Sequence, residues 1–133
     1  MATRIELAHE LLGDAEQLLS LGRLRSATSR AYYAAYHAAV ALFERYGFKP
    51  NNFTGKSGWP AAIWEHPIVT RRFFHEFVQE RKFFSWQAGQ EIRRLYARRI
   101  AADYDPSAEL VESDVKELCE SAKTIVEGAE RRV

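Results

Sequence analysis

Prolines 50, 60 and 67, three of the four in the chain, fall in or beside one central segment and leave long proline-free stretches on either side. Proline lacks a backbone N–H and clashes with the preceding helical turn, so its confinement to one region favours long helices and argues against a β fold. From Ile5 to Leu21, apolar residues recur at Ile5, Ala8, Leu11, Leu12, Ala15, Leu18 and Leu19. That three-and-four spacing gives a helix one dry face and one wet face, with Gly22 as its stop. A second helix is predicted from about Leu24 to Tyr46, closed by Gly47 in a left-handed cap.

The segment FKPNNFTGKSGWPAAIWEHP, residues 48–67, is rich in Gly, Pro and Asn and reads as an irregular loop at about 48–66, with a short helical piece around Ala61 to Glu65. Helical spacing resumes at Ile68 through Phe83 and again from Ser85 to about Tyr104, as one bent helix or two. Trp86, Ile92, Leu95, Tyr96 and Ile100 are the buried candidates there. Asp105-Pro106 ends the run, and Ser107 or Ser113 is placed to cap a last helix carrying Leu110, Val115, Leu118, Ala122, Ile125 and Val126. The expectation is an all-α, four-to-five-helix, up-and-down bundle forming a single domain over residues 1–133. No internal repeat or sustained heptad seam suggests a solenoid or a long coiled coil.

Lys+Arg of 19 against Asp+Glu of 18 leaves a formal charge of +1, so an anion site has to be built locally. The single cysteine, Cys119, excludes an intrachain disulfide framework and a multi-thiolate metal centre, and fits a reducing compartment. A cytoplasmic location is expected, with no membrane span: the opening MATRIELAHELL carries acidic residues and no unbroken apolar stretch. Neither a metal nor a cofactor is expected.

The second helix reads RSATSRAYYAAYHAAVALFERYG, with alanines at 27, 31, 34, 35, 38 and 41, small side chains that let helices approach closely. Arg30, Tyr33 and His37 are spaced by three and four, which stacks a cation, a phenol and an imidazole on one face over about 10 Å of rise. On an arbitrary helix the plain reading is a solvated Arg30, a half-buried Tyr33 and a His37 satisfied within the packing.

Ala27, Ser29, Arg30, Tyr32, Tyr33, Tyr36 and His37 fill the places of a helix that resembles the signature of the HEPN domain family. A second block, LYARRIAADYD, resembles the later Leu-Tyr-x-x-Arg-x-x-Ala-Asp-Tyr element of the same branch, with Arg99, Ala102, Asp103 and Tyr104 in register. The resemblance implies a helical bundle that homodimerises and, in many members, a metal-independent RNase site built on an Arg-(four to six residues)-His motif. Arg30 and His37, six residues apart, are the catalytic candidates. In that chemistry a ribose 2′-OH attacks the adjacent phosphate to leave cyclic phosphate ends, His37 moving the proton and Arg30 stabilising charge on the phosphoryl oxygens. The family context adds RNA, a small nucleotidyltransferase or an antitoxin as partners, in a toxin–antitoxin setting. The competing class is a non-enzymatic helical adaptor or accessory subunit that uses the same surface to bind a protein or nucleotide.

In the best-known active pattern the Arg-His motif lies late in the chain, and there this sequence offers Arg99, four residues and Tyr104, without a histidine. Arg99 and Asp103 read equally as an ion pair fixing a helix end and, with Tyr104, as site residues. Ser29 and Tyr33 are supporting candidates. Lys56, with Trp59 and Trp64, could supply charge and stacking surface to RNA. TGKS at Thr54 to Ser57 is not a phosphate loop, because Pro50 stands where that motif needs glycine and no strand precedes it. His66 and His75 with Glu65 and Glu76 do not reproduce a His-Glu-x-x-His zinc helix. The paired arginines at 71–72, 93–94 and 98–99 read as solvated helix surface interspersed with glutamates.

Overall fold

Thr3 begins the architecture: its hydroxyl accepts from the Glu6 N–H at 3.2 Å and caps α1 (Arg4–Ser20). The structure, a computed structural model, describes residues 2–55, 57–59 and 63–133. Helix α1 ends where Gly22 takes φ +73°, with Arg23 N–H donating to the Leu18 carbonyl at 2.9 Å and Gly22 N–H to Leu19 at 3.0 Å. Helix α2 (Leu24–Arg45) closes in the same way at Gly47, φ +83°, with Phe48 N–H on the Phe43 carbonyl at 2.9 Å. Both glycines stop their helices as the sequence predicts, in the left-handed region that a Cβ disfavours.

Helix α2 is the axis of the bundle and packs against α1, α3 (His66–Phe73), α4 (Trp86–Tyr104) and α5 (Glu112–Glu130). Ala27, Ala31, Ala34, Ala35, Ala38 and Ala39 are completely buried along it, so its neighbours close in over methyl groups. From α1 the core adds Ala8, Leu11, Leu12 and Ala15; from α5 it adds Val115, Leu118, Ala122, Ile125 and Val126. An aromatic block around Phe43, Phe53, Trp64 and Phe77 fills the end near Gly47, with Phe43 and Trp64 stacked at 5.5 Å between ring centres. The all-α fold is thus observed, and among the described residues no helix is long and apolar enough to cross a membrane.

Several local expectations change. In the loop, Pro50–Asn52 form a single 3-10 turn; Ala61 and Ala62 of the expected helical piece lie outside the described residues, and Ile63–Glu65 are not helical. The short helix starts instead at His66, with Pro67 in its first turn, where a missing N–H is harmless. The region to Phe83 and the run from Ser85 are two elements: α3 widens into a π turn over Phe74–Glu80, and Lys82 at φ 56° ends it. Glu76 is buried in that turn between Arg81 at 3.0 Å and Arg72 at 3.5 Å. Trp86 is 66% and Ile100 38% exposed, so neither is core; Ile92 and Leu95 are fully buried as expected. Helix α5 is entered from Val111 without a serine cap: Ser113 lies inside the helix, and Ser107, four residues before Val111, donates its N–H and hydroxyl to Asp105 Oδ1 at 2.9 and 2.7 Å instead.

Arg25 fixes the last turn of α4. Its Nη1 donates to the carbonyls of Ala102 and Asp105, both at 2.9 Å, and its Nη2 to those of Pro106 and Ala108, both at 3.0 Å. Carbonyls at a helix end have no intrahelical partner, and one guanidinium fork serves them here. The start of α2 is thereby tied to the end of α4.

Candidate functional site

Helices α2, α3 and α4, together with the start of α1, enclose an open cleft of about 680 Å³. Tyr33, Tyr36 and His37 reach it from α2, His66 from α3, Tyr96, Arg99 and Tyr104 from α4, and Arg4 from α1. A second hollow of about 620 Å³ lies beside it, lined by Arg25, Ser29, Arg30 and Asp103, and Tyr33 borders both. The Arg30/His37 strip of α2 is therefore divided: His37 serves the cleft and exposed Arg30 serves the neighbouring hollow.

Arg99 is 6% exposed, and its guanidinium carbon lies 5.1 Å from the Tyr32 ring centre, 5.4 Å from Tyr33 and 5.6 Å from Tyr96. Three aromatic rings pack around the cation, which keeps a small face toward the cleft. Asp103 lies 3.6 Å from Nη1 of Arg99 and accepts from the Ser29 hydroxyl at 3.4 Å. The buried Nε of Arg99 has no hydrogen-bond partner among the described residues. The two sequence blocks thus meet through Ser29, Tyr33, Arg99 and Asp103.

His66 sits among the same rings, 4.3 Å from Tyr36 and 5.5 Å from Tyr32 between centres, with the Tyr32 hydroxyl 2.7 Å from its Nδ1. Burial, followed by the Arg99 charge, holds its pKa below the usual histidine value. His37 is held down further, to about 4, by burial first and then by Arg4 and His66, with Glu44 acting in the opposite direction. Nη1 of Arg4 lies 3.0 Å from Nδ1 of His37, while Nε of Arg4 pairs with Glu44 at 2.9 Å. Both imidazoles are consequently neutral at pH 7.

The HEPN domain sequence model matches residues 1–54, the stretch that holds α1 and α2. A UPF0332 protein of Thermotoga maritima is 31% identical over 126 residues, covering 95% of this chain and 85% of the relative. The chain belongs to the UPF0332 family of HEPN-type proteins. A UPF0332 protein of Pyrococcus horikoshii is 43% identical over 51 residues, which is 38% of this chain and 36% of that protein.

In this UPF0332 chain, His37, Tyr33, Arg99 and Tyr104 of the anticipated residues share the cleft, whereas Arg30, Ser29 and Asp103 belong to the adjoining hollow. Lys56 lies outside the described residues. Trp64 fills the aromatic block, and Trp59 is 74% exposed. Arg4 and His66 were not anticipated. Nothing in local spacing marks them, because one opens α1 and the other opens α3, and only the packing of those ends against α2 brings them to His37. Among the described residues no group of three or more His, Cys, Asp and Glu is gathered as metal ligands would be. Cys119 is buried, its thiol pushed up to about 11 by burial and nearby glutamates, which suits packing rather than nucleophilic chemistry.

Proposed function

We propose that this HEPN-type protein binds single-stranded RNA along the cleft and cleaves it without a metal. The observation that carries this reading is the convergence of two neutral imidazoles, His37 and His66, with the Arg99 guanidinium on one open cleft lined by tyrosines. An RNA phosphodiester needs a guanidinium for its oxygens, aromatic faces for its bases and a group to move the 2′-OH proton. His37 takes that proton as the 2′ oxygen bonds to phosphorus; the bond to the 5′ oxygen breaks, and the leaving oxygen receives a proton from water. The products are a 2′,3′-cyclic phosphate and a 5′-hydroxyl. Charge brought in by the phosphate raises the depressed imidazole pKa values toward the range useful for proton transfer. Arg30, across Tyr33 from His37, contacts the next stretch of backbone, with Ser29 and Asp103 setting the side-chain positions between them.

The cleft is bordered by exposed Ile63, Ile100 and Tyr104, the last 74% exposed. In the same reading a second copy of the chain covers this apolar border, so the working unit is a homodimer with two facing sets of site residues. Purified protein should cleave single-stranded RNA in EDTA, and His37→Ala should abolish the cleavage. Loss of activity on chelation, or full activity in the His37→Ala protein, overturns the mechanism.

A second reading is supported by the Arg4–His37 and Arg99–Asp103 contacts, which occupy groups that catalysis needs. Here the protein is an adaptor that binds a nucleotidyltransferase, an antitoxin or a nucleotide. RNA or partner binding that leaves the RNA intact selects it.

A further inference from the structure

Arg4 holds both a carboxylate and an imidazole with one guanidinium, at the mouth of the cleft. Its Nε and Nη2 face Oε1 and Oε2 of Glu44 at 2.9 and 3.4 Å, and its Nη1 reaches Nδ1 of His37 at 3.0 Å. We propose that Arg4 is a phosphate ligand of the cleft, parked on Glu44 in the free protein, and that its transfer to RNA releases Nδ1 of His37 for proton transfer. This rests on the RNA reading above and deepens it.

Three physical points carry it. Arginine has only donors, so the lone pair on Nδ1 of His37 is filled by an Arg4 N–H and the neutral ring carries its proton on Nε2. In that state the ring is a donor and not a base. Second, the edge of Arg4 that faces Glu44 is the planar two-donor edge that matches phosphate oxygens equally well. Third, the side chains of Arg4 and Glu44 are 32% and 46% exposed, and an ion pair so open to water holds its partners weakly. Arg99 differs on this point: buried among rings, it is a fixed cation, whereas Arg4 is free to exchange one anion for another. The charged and titratable groups around His37 are Arg4 from α1, Tyr36 and Glu44 from α2 and His66 from α3, with Arg99 of α4 facing His66.

The test uses the full chain and a 2′-O-methyl RNA oligonucleotide, which cannot be cleaved because its 2′ oxygen is blocked. Binding is followed by fluorescence anisotropy for the wild type, Arg4→Ala, Glu44→Gln, the double variant and Arg99→Ala. Arg4→Ala should weaken binding about tenfold, the size of one charge-assisted contact. Glu44→Gln should tighten it about two- to fivefold by freeing Arg4, and that gain should vanish in the Arg4→Ala background. NMR titration of the imidazole C–H signals should find the His37 pKa rising in Arg4→Ala and in the wild-type complex. A Glu44→Gln gain of equal size with and without Arg4, or wild-type binding by Arg4→Ala, overturns the proposal. If those results accompany binding that still depends on Arg99, the RNA reading stands and only the role of Arg4 falls. Binding insensitive to both arginines, or no binding, removes both.

Discussion

The Tyr32 hydroxyl lies 2.7 Å from Nδ1 of His66, inside a nest of rings that holds both residues in place. Tyr32 is fully buried, and that burial raises its ionisation well above the ordinary phenol range, so the phenol stays neutral and shares one hydrogen bond with the imidazole. His66 is therefore held by its Nδ1 edge, as Arg4 engages the Nδ1 edge of His37. Tyr32→Phe keeps the ring and removes this bond. It should cost about 1 kcal/mol in urea unfolding and more than that if His66 is left without another partner. An unchanged midpoint and unchanged His66 ring signals would contradict the assignment.

Stability should fall as pH is lowered from about 6.5 toward 4, partly because of His37. Its pKa is depressed in the folded chain, so the unfolded chain binds the proton first and gains on acidification. Above the unfolded value both states are neutral and the effect is nil. Replacing the imidazole by a neutral amide, His37→Gln, should flatten the pH dependence between those limits relative to wild type. Parallel curves for the two proteins would show that His37 does not titrate as described. His66, shifted in the same direction, contributes the part that remains.

Arg25→Ala should destabilise the fold by about 2 kcal/mol, because the carbonyls at the end of α4 lose a charged donor. Arg25→Lys recovers part of this, since an ammonium cannot span all four acceptors with a planar fork. Thermal denaturation of the three proteins gives the order directly.

Two glycines in helices should respond with opposite signs to the same substitution. At Gly128 an added Cβ runs into the Phe84 ring, and Gly128→Ala should cost about 1–3 kcal/mol. At Gly13, within α1, a Cβ meets nothing within 4 Å, and Gly13→Ala should stabilise by about 0.5–1 kcal/mol through helix propensity. Denaturant midpoints with unchanged slopes would bear this out; two shifts of the same sign would not.

The helices that make up most of the chain were legible because their signals are local. Gly22 and Gly47 marked stops, alanine and leucine periodicity marked α1, α2 and α5, and Asp105-Pro106 marked the end of α4. Trp86 and Ile100 were misjudged because periodicity gives a repeat but not its phase: Trp86 opens α4 at the surface, and Ile100 borders the cleft. The spacing from Ile68 to Phe83 reads as plain helix, so it marks neither the start of α3 at His66 nor the widening into a π turn over Phe74–Glu80. For the site, the Arg30/His37 spacing placed both on one strip of α2 without revealing that Tyr33 borders two separate hollows there. The meeting of Ser29 with Asp103 and of Arg99 with Tyr33 was implicit in two motifs far apart in sequence. Arg4 and His66 could be found only once the fold had been closed.

Helix α2 is enclosed by every other helix of the bundle, so its amides should exchange with deuterium only when the entire domain opens. The first turn of α1, which carries Arg4, belongs to the fraying end of a helix and should exchange far sooner. One wall of the cleft thus keeps the lifetime of the native state while another rearranges on the timescale of a loosening helix tip, and ligand entry draws on the second without disturbing the first.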